Sequence, residues 1–129
     1  MTSSIHSFTI DTPDPYALAT WWSQVVGAPL DEEDHPGDPE AMVALPAGPP
    51  LLFVQVEDAK VVKNRLHIDL EPDGPREEEV ARLLGIGATL VDDQRRPDGT
   101  GWAVLADPEG NEFCVLRSAA ERAATSPPS

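Results

Sequence analysis

The sequence has a single cysteine and no long apolar run. Because Cys114 is alone, no disulfide can form within the chain, and a reducing compartment such as the cytoplasm is favoured. No run approaches the roughly 18 apolar residues of a membrane span, and no basic-then-apolar segment opens the chain. We therefore expect a cytoplasmic protein with no export signal and no membrane partner.

Basic residues are scarce as well. Nine Lys and Arg stand against 23 Asp and Glu, which gives a net charge of −14. Nucleic acid binding needs a basic face, so the composition argues against a nucleic acid partner. The excess of acid has two interpretations that charge alone does not separate. It forms either a solvated, self-repelling surface or an acidic cleft that attracts cations.

Fourteen prolines and nine glycines divide the 129 residues, the length of one domain, into short elements. The pattern predicts helices at 15–26 and 75–86. Strands are predicted at 4–11, 29–33, 41–46, 51–57, 64–71, 88–92, 101–106 and 112–117. The order β-α-β-β-β thus occurs twice, in units 4–57 and 64–117 of a single domain at 1–117. Residues 118–129 are predicted to form a flexible, frayed tail.

Turn and cap residues repeat at a nearly fixed spacing. Pro15 and Pro75 fall in the first turns of the two helices, 60 residues apart, and the turns at 46–48 and 108–110 are 62 apart. Gly27 and Gly87 follow the helices at the same spacing of 60. The apolar stripes of the helices do not superpose at this shift, which indicates an old duplication or a reset second helix.

Alternation along the strands assigns residues to two faces. A helix must cover one face of each half-sheet, so the apolar parity faces the core and the other parity lines a cleft. The core face is assigned His6, Phe8, Ile10, Leu66, Ile68, Leu70, Phe113 and Val115. The cleft face is assigned Ser7, Thr9, Asp11, His67, Asp69, Glu71, Glu112 and Cys114. In residues 51–56, LLFVQV, apolar residues occur on both faces of the strand, so alternation assigns no cleft residue there. The 62-residue shift matches Leu52 to Cys114.

Three segments together resemble a known superfamily: DPYALATWWSQVVGAPL after the first strand, KNRLHIDL opening the second unit, and DPEGNEFCVL closing it. Over residues 4–117 the chain resembles the vicinal oxygen chelate superfamily, and its glyoxalase-like domain branch in particular. That superfamily includes glyoxalases, bleomycin-resistance and fosfomycin-resistance proteins and ring-cleaving dioxygenases. With the double element order, the resemblance predicts an α+β fold whose two units form one curved mixed sheet around a cleft.

In metal-binding members, the resemblance implies ligands on the first and last strand of each unit, commonly His, Gln or Glu. The corresponding positions here hold Ser7, Leu52, His67 and Cys114. Leucine cannot bind a metal and serine rarely does, so this set supplies two good donors. Glu112 or Asp69 would have to complete a site, and the expected set for a divalent metal is His67, Glu112 and Cys114. We expect no resident cofactor.

Several other side chains have a structural and a functional interpretation. His6 has core parity, where a hydrogen-bonded histidine is commoner than a ligand. His67 would either bond to a neighbouring strand or contact a bound molecule. Cys114 as a nucleophile would need His67 to lower its pKa, and no third group that would orient this base is indicated. Trp102 would offer aromatic surface to a ligand, whereas Trp22 fits the core.

Three functions remain open. The first is binding of a small molecule without metal, as in bleomycin-resistance proteins, where the resemblance implies clefts between the subunits of a homodimer. Acids at positions such as Asp69 and Glu112 would favour a cationic or polar ligand. The second is a metal-dependent lyase, isomerase or ring-cleaving dioxygenase with an irregular site, and the third is a non-catalytic accessory module. We favour the first. The loops at 31–40 and 93–101, where ligand choice would be made, do not identify the ligand.

Overall fold

The computed structural model describes residues 1–125 and divides into two compact units. Unit 1 is Met1–Lys60, and unit 2 begins at Val61. Residues 126–129, the end of the predicted tail, lie outside the described part. Among the described residues, no helix has the length and apolar character needed to cross a membrane.

Unit 1 contains one helix and three strands. In chain order these are β1 (Phe8–Thr12), α1 (Pro15–Val26), β2 (Glu40–Val43) and β3 (Leu51–Gln55). The strand order is β1-β3-β2, in which β3 pairs with β1 in parallel and with β2 in antiparallel orientation. Because the central strand has one neighbour of each orientation, the sheet is mixed.

Helix α1 has the bounds that the sequence predicts, and its ends explain why. The Asp14 carboxylate accepts a hydrogen bond from the Ala17 N–H at 3.2 Å, which caps the first turn. At the other end Gly27 adopts φ 68°, a left-handed conformation that glycine tolerates. The buried face includes Trp22, which is 1% exposed and contacts Trp21 edge-on with ring centroids 5.2 Å apart. The core position predicted for Trp22 is confirmed.

The predicted strand at 29–33 is reduced to a single bridge between Leu30 and Val43. Acidic side chains in the following loop bond to backbone amides in place of a neighbouring strand: the Asp31 carboxylate accepts from the Glu33 N–H at 2.9 Å. Such local hydrogen bonds compete with strand pairing, so the ladder does not extend into the loop.

The described part of unit 2 contains four strands and two helices. They are β4 (Ile68–Leu70), α2 (Arg76–Gly85), β5 (Thr89–Asp93), β6 (Ala103–Ala106), β7 (Glu112–Val115) and α3 (Ala119–Thr125). The strand order is β4-β7-β6-β5, with β4 parallel to β7 and the other pairs antiparallel. The α+β class is therefore confirmed. The strands form two small mixed sheets rather than one, because each strand pairs only within its own unit among the described residues.

The repeated turns share a backbone reason. Gly48 and Gly110 adopt φ values of 85° and 90°, in the left-handed region that a side chain rarely enters. The 62-residue repeat of a Pro-x-Gly turn therefore reflects the same backbone requirement in both units.

Unit 2 corrects part of the face assignment. Phe113 and Val115 are fully buried, as predicted, but Leu66 is 77% exposed because β4 begins only at Ile68. The Asn64 side-chain carbonyl accepts a hydrogen bond from the Glu112 N–H at 3.2 Å. The Asn64 side chain thus accepts from the first backbone N–H of β7, the group to which a longer β4 would have bonded.

Strand β1 of unit 1 corrects another part. It begins at Phe8, so His6 lies outside the strand and is exposed, and the partly buried position predicted for it is wrong. Phe8 itself is 40% exposed, although it is paired with the buried Leu51. Both differences arise at the edge of the sheet, where β1 has only β3 as a neighbour.

Helix α3 lies in the segment predicted to be a frayed tail. The Ser118 hydroxyl accepts from the Glu121 N–H at 3.1 Å, and the Glu121 carboxylate accepts from the Ser118 N–H at 3.0 Å. This reciprocal capping box is typical of a helix N-terminus. The same carboxylate accepts from the Arg76 N–H at 2.8 Å, which ties α3 to the start of α2. The Ser-x-x-Glu spacing was a signal for this helix in the sequence.

Candidate functional site

A tight turn positions the last strand of unit 2. The Asp107 carboxylate, on a residue that is 2% exposed, accepts from the N–H groups of Glu109 and Asn111, both at 2.9 Å. The Asp107 N–H donates to the Asn111 carbonyl, also at 2.9 Å. Such an Asx-based turn leaves its backbone amides satisfied while the chain reverses. It therefore sets where β7 begins.

Strand β7 lies between β4 and β6, so its alternate side chains fall on two different faces. Cys114 is paired with Asp69 on one side and with Val104 on the other. Its neighbours along the strand, Phe113 and Val115, are fully buried on the opposite face. Cys114 therefore points away from the core that these two residues form.

Three donor side chains meet on this face. Single donor atoms of His67, Asp69 and Cys114 all lie within 4.8 Å of one another. His67 and Asp69 are exposed, whereas Cys114 is 7% exposed. We call these three residues the unit-2 triad, and the triad together with Glu112 the polar face of unit 2. The parallel pairing of β4 with β7 creates the triad because it sets Asp69 directly beside Cys114.

The surroundings of Cys114 disfavour its thiolate. Burial raises the pKa of the Cys114 thiol above its ordinary value, and the charge of Asp69 and the hydrogen bond between the two side chains raise it further. Glu112 acts in the same direction, and Lys63 opposes it. The thiol is thus protonated at neutral pH, so it is poorly suited to act as a nucleophile.

Glu112 is not part of the triad. Its Oε2 atom lies 2.7 Å from the Lys63 Nζ atom, and its side chain is 11% exposed. The metal set expected from the sequence was His67, Glu112 and Cys114, whereas the three donors that lie within 4.8 Å of one another are His67, Asp69 and Cys114. Lys63 is not identifiable from the sequence pattern, because no alternation extends to the irregular segment before β4.

The unit 1 candidates lie elsewhere in the chain. Leu52 is half-buried in β3 and is paired with Thr9, and Ser7 immediately precedes β1. An aliphatic side chain and a hydroxyl occupy these two positions, so unit 1 supplies no strong metal donor at either. The four positions implied by the resemblance therefore do not fit an octahedral metal bound by imidazole and carboxylate groups.

Two further candidates belong to unit 2. Trp102 is 39% exposed and immediately precedes β6, where its carbonyl accepts from the Gln94 N–H at 2.9 Å. Trp102 is two residues before Val104, so alternation places both side chains on the same face of the sheet. Val104 is paired with Cys114, and Trp102 is therefore on the face that carries Cys114. Glu71 is ion-paired with Arg122 at 2.9 Å, so this acid contacts α3.

The sequence of residues 7–116 matches the Glyoxalase-like domain family. The chain belongs to this family. No curated protein has a significant sequence match to this glyoxalase-like domain.

Solved structures show the same fold. Over 96% of this chain and 99% of the other, the fosfomycin resistance protein FosX from Mesorhizobium loti superposes with a TM-score of 0.67 at 17% identity. FosX from Listeria monocytogenes, complexed with Mn(II) and a dihydroxypropylphosphonic acid, gives 0.67 at 19% identity over 95% of both chains. A glyoxalase/bleomycin resistance protein/dioxygenase family enzyme from Burkholderia phytofirmans gives 0.63 at 21% identity, over 84% of this chain and 94% of its own. At these identities the likeness concerns the fold.

Proposed function

We propose that this glyoxalase-like domain binds a small cationic or polar molecule at the polar face of unit 2, and that it sequesters the molecule without a resident metal cofactor. The observation that carries the proposal is the meeting of a carboxylate, an imidazole and a thiol on one face of a sheet whose other face is core. Convergent polar groups beside a rigid apolar layer are the usual composition of a small-molecule site.

The charges of this face favour a cation. Glu112 is ion-paired with Lys63, whereas no ion pair within the described residues includes Asp69. Asp69 is exposed and accepts a hydrogen bond from a protonated thiol, so its negative charge is not cancelled there. At such a partly solvated position a cation gains a few kcal/mol at most, about 4 kcal/mol for a close pair at an effective dielectric constant near 20.

Sequestration is favoured over catalysis by the state of the thiol. A protonated, buried Cys114 is a weak nucleophile, and the four family positions do not fit a metal that would activate water or substrate. We propose in addition that the protein is a cytoplasmic homodimer, as bleomycin-resistance-like binding implies.

A thermal-shift screen in the presence of a metal chelator tests this function. Matched cationic, neutral and anionic compounds are compared, and cationic hits should stabilise the protein less at high ionic strength, because salt screens an exposed carboxylate. The stabilisation should disappear in Asp69→Asn. It should decrease in Glu112→Gln, because this change leaves the positive charge of Lys63 without its partner carboxylate. Asp58→Asn, an exposed acid of unit 1, is the matched control. Hits confined to anions or neutral thioethers would contradict the proposal.

Mass spectrometry of a bound hit separates sequestration from chemistry. After prolonged incubation with the protein, the compound should be recovered with unchanged mass and full yield. Recovery of a cleaved, isomerised or oxidised product that depends on the folded protein would instead identify an enzyme.

A further inference from the structure

We infer that the ligand of this face is an organic cation with a fully alkylated nitrogen, a quaternary ammonium group, and that Trp102 and Asp92 receive this group. The inference rests on the proposed function and deepens it. It names the class of ligand, and it adds two residues that lie outside the polar face of unit 2.

Trp102 continues the pairing of β6 with β5 beyond the end of β6. The Gln94 N–H donates to the Trp102 carbonyl at 2.9 Å, and the Trp102 N–H donates to the Gln94 carbonyl at 3.4 Å. The extended backbone therefore reaches Trp102, and alternation along it places this side chain on the face of Val104. Trp102 is 39% exposed, so part of the indole is accessible to a ligand.

Helix α2 covers the other face of β5. Arg95 Nη1 donates to Glu77 Oε2 of α2 at 2.6 Å, and Arg95 Nε donates to the Asp93 carboxylate at 2.8 Å. Asp93 and Arg95 therefore lie on the side of the helix. Asp92 is adjacent to Asp93 in the strand, so it lies on the opposite side, together with Trp102.

The neighbours of Trp102 on this face are apolar or acidic. Val104 is paired with Cys114, and the same register sets Trp102 beside Leu116. Val104 and Leu116 are half-buried, and we call them, together with Trp102, the aromatic strip. Asp92 is paired with Val104. It is therefore a diagonal neighbour of Trp102, at about 7–8 Å, which is within reach of an aromatic side chain.

The charge beside the aromatic strip is negative. Asp92 is exposed, and its Oδ2 atom accepts from Gln94 Nε2 at 2.8 Å, a neutral donor that leaves the charge of the carboxylate in place. No ion pair within the described residues includes Asp92. Asp69 lies in the same row of paired residues, on the far side of Cys114, so acids border the strip on both sides. A tryptophan face attracts a cation within about 6 Å of the ring, so the indole and the carboxylates favour the same kind of group.

The apolar members of the strip determine which cation fits. A primary ammonium group has three N–H donors, and each loses a hydrogen bond to water where it meets a surface without acceptors. Val104, Leu116 and the face of Trp102 offer no such acceptor. A quaternary ammonium group has no N–H, and its alkyl groups pack against apolar side chains while its charge interacts with the indole. The strip therefore favours an alkylated nitrogen over a primary amine.

Three probes of similar size test the inference by NMR titration of the full chain. Choline carries a trimethylammonium group, its neutral analogue has carbon in place of the nitrogen, and ethanolamine carries a primary ammonium group. We expect choline to bind more tightly than either of the others. Its N-methyl protons should shift upfield, because an indole ring shields protons that lie over its face.

Variants of the two residues should separate the contributions of ring and charge. Trp102→Leu should weaken choline binding about two- to thirty-fold, the range of a cation–π contact, and should abolish the upfield shift. Asp92→Asn should weaken choline binding and leave binding of the neutral analogue unchanged, because only the charged probe interacts with the carboxylate.

Matched controls lie on the side of α2. Asp93→Asn removes the same charge one residue away, and Leu84→Ala removes an apolar side chain of α2 that is also 39% exposed. Both should bind choline as wild type does, and circular dichroism verifies that each variant is folded.

The inference is overturned if ethanolamine or the neutral analogue binds as tightly as choline, or if Trp102→Leu binds choline as well as wild type does. If the compound screen yields cations whose binding depends on Asp69 while choline binding does not depend on Trp102, the inference fails and the proposed function stands. If the screen yields no cation, the proposed function itself fails.

Discussion

At the scale of single residues, the Cys114 side chain is buried and has the negatively charged Asp69 and Glu112 nearby. Its 7% exposure limits access for a reagent, and its raised pKa reduces the thiolate that would react. We predict that iodoacetamide modifies the native protein at neutral pH at least about ten-fold more slowly than the denatured chain. Since the chain has one cysteine, the mass change reports this residue alone. Equal rates in the two states would show that Cys114 is accessible and would reopen its role as a nucleophile.

Asp93 gives a second residue-scale prediction, on acid stability. Its carboxylate accepts from Arg95 Nε at 2.8 Å and Nη2 at 2.9 Å, and these hydrogen bonds lower its pKa from 3.8 to about 2. The pair therefore contributes stability above the ordinary pKa, and this contribution is lost as pH falls from about 4 toward 2. Urea unfolding of Asp93→Asn should show a smaller loss of stability over this range than wild type does. If Asp93→Asn loses as much stability over this range as wild type and the Asp58→Asn control do, the linkage is contradicted.

At the scale of elements, Arg76 connects three parts of unit 2. It is 3% exposed, donates through Nη1 to the Gly101 carbonyl at 2.9 Å, and its N–H bonds to Glu121 of α3. Removing the guanidinium leaves the partly buried Gly101 carbonyl without this donor, so Arg76→Ala should lower the free energy of unfolding by about 1–3 kcal/mol. Arg82→Ala, which removes an exposed i,i+3 pair with Glu79, should cost about 0.5 kcal/mol or less. Equal costs in chemical denaturation would show that the buried arginine is not a structural link.

At the scale of the whole molecule, β5 provides a surface for the proposed homodimer. All five of its residues are exposed, and Leu90 and Val91 are 45% and 51% exposed at the end of the order β4-β7-β6-β5. An exposed edge strand with apolar side chains favours pairing with a second copy. Light scattering at tens of micromolar should show a dimer, and Val91→Lys should shift it toward monomer. Val61→Lys, at a 91% exposed position outside the strands, is the control. A monomeric wild type would contradict the proposal.

The candidate site was predictable in part. Alternation placed His67, Asp69, Glu112 and Cys114 on one face, but it could not show which of the two acids lies closer to Cys114. That ranking depends on the parallel register that sets Asp69 beside Cys114, and on an ion pair between Glu112 and Lys63, which lies 49 residues away in the chain. Neither is a local property of the sequence.

The local sequence by itself determined the extent of α1, the glycine turns and the double α+β order. Helix caps and left-handed glycine positions depend on only a few adjacent residues. The Ser118 capping box was equally local, so α3 was within reach of the sequence. Only the tertiary structure decided how far each strand extends. Strand length depends on which amides find partners, and side chains such as Asn64 and Asp31 compete with distant strands for those amides. The same competition decided which donors meet Cys114, since the pairing of β4 with β7 brings together segments that are far apart in the chain.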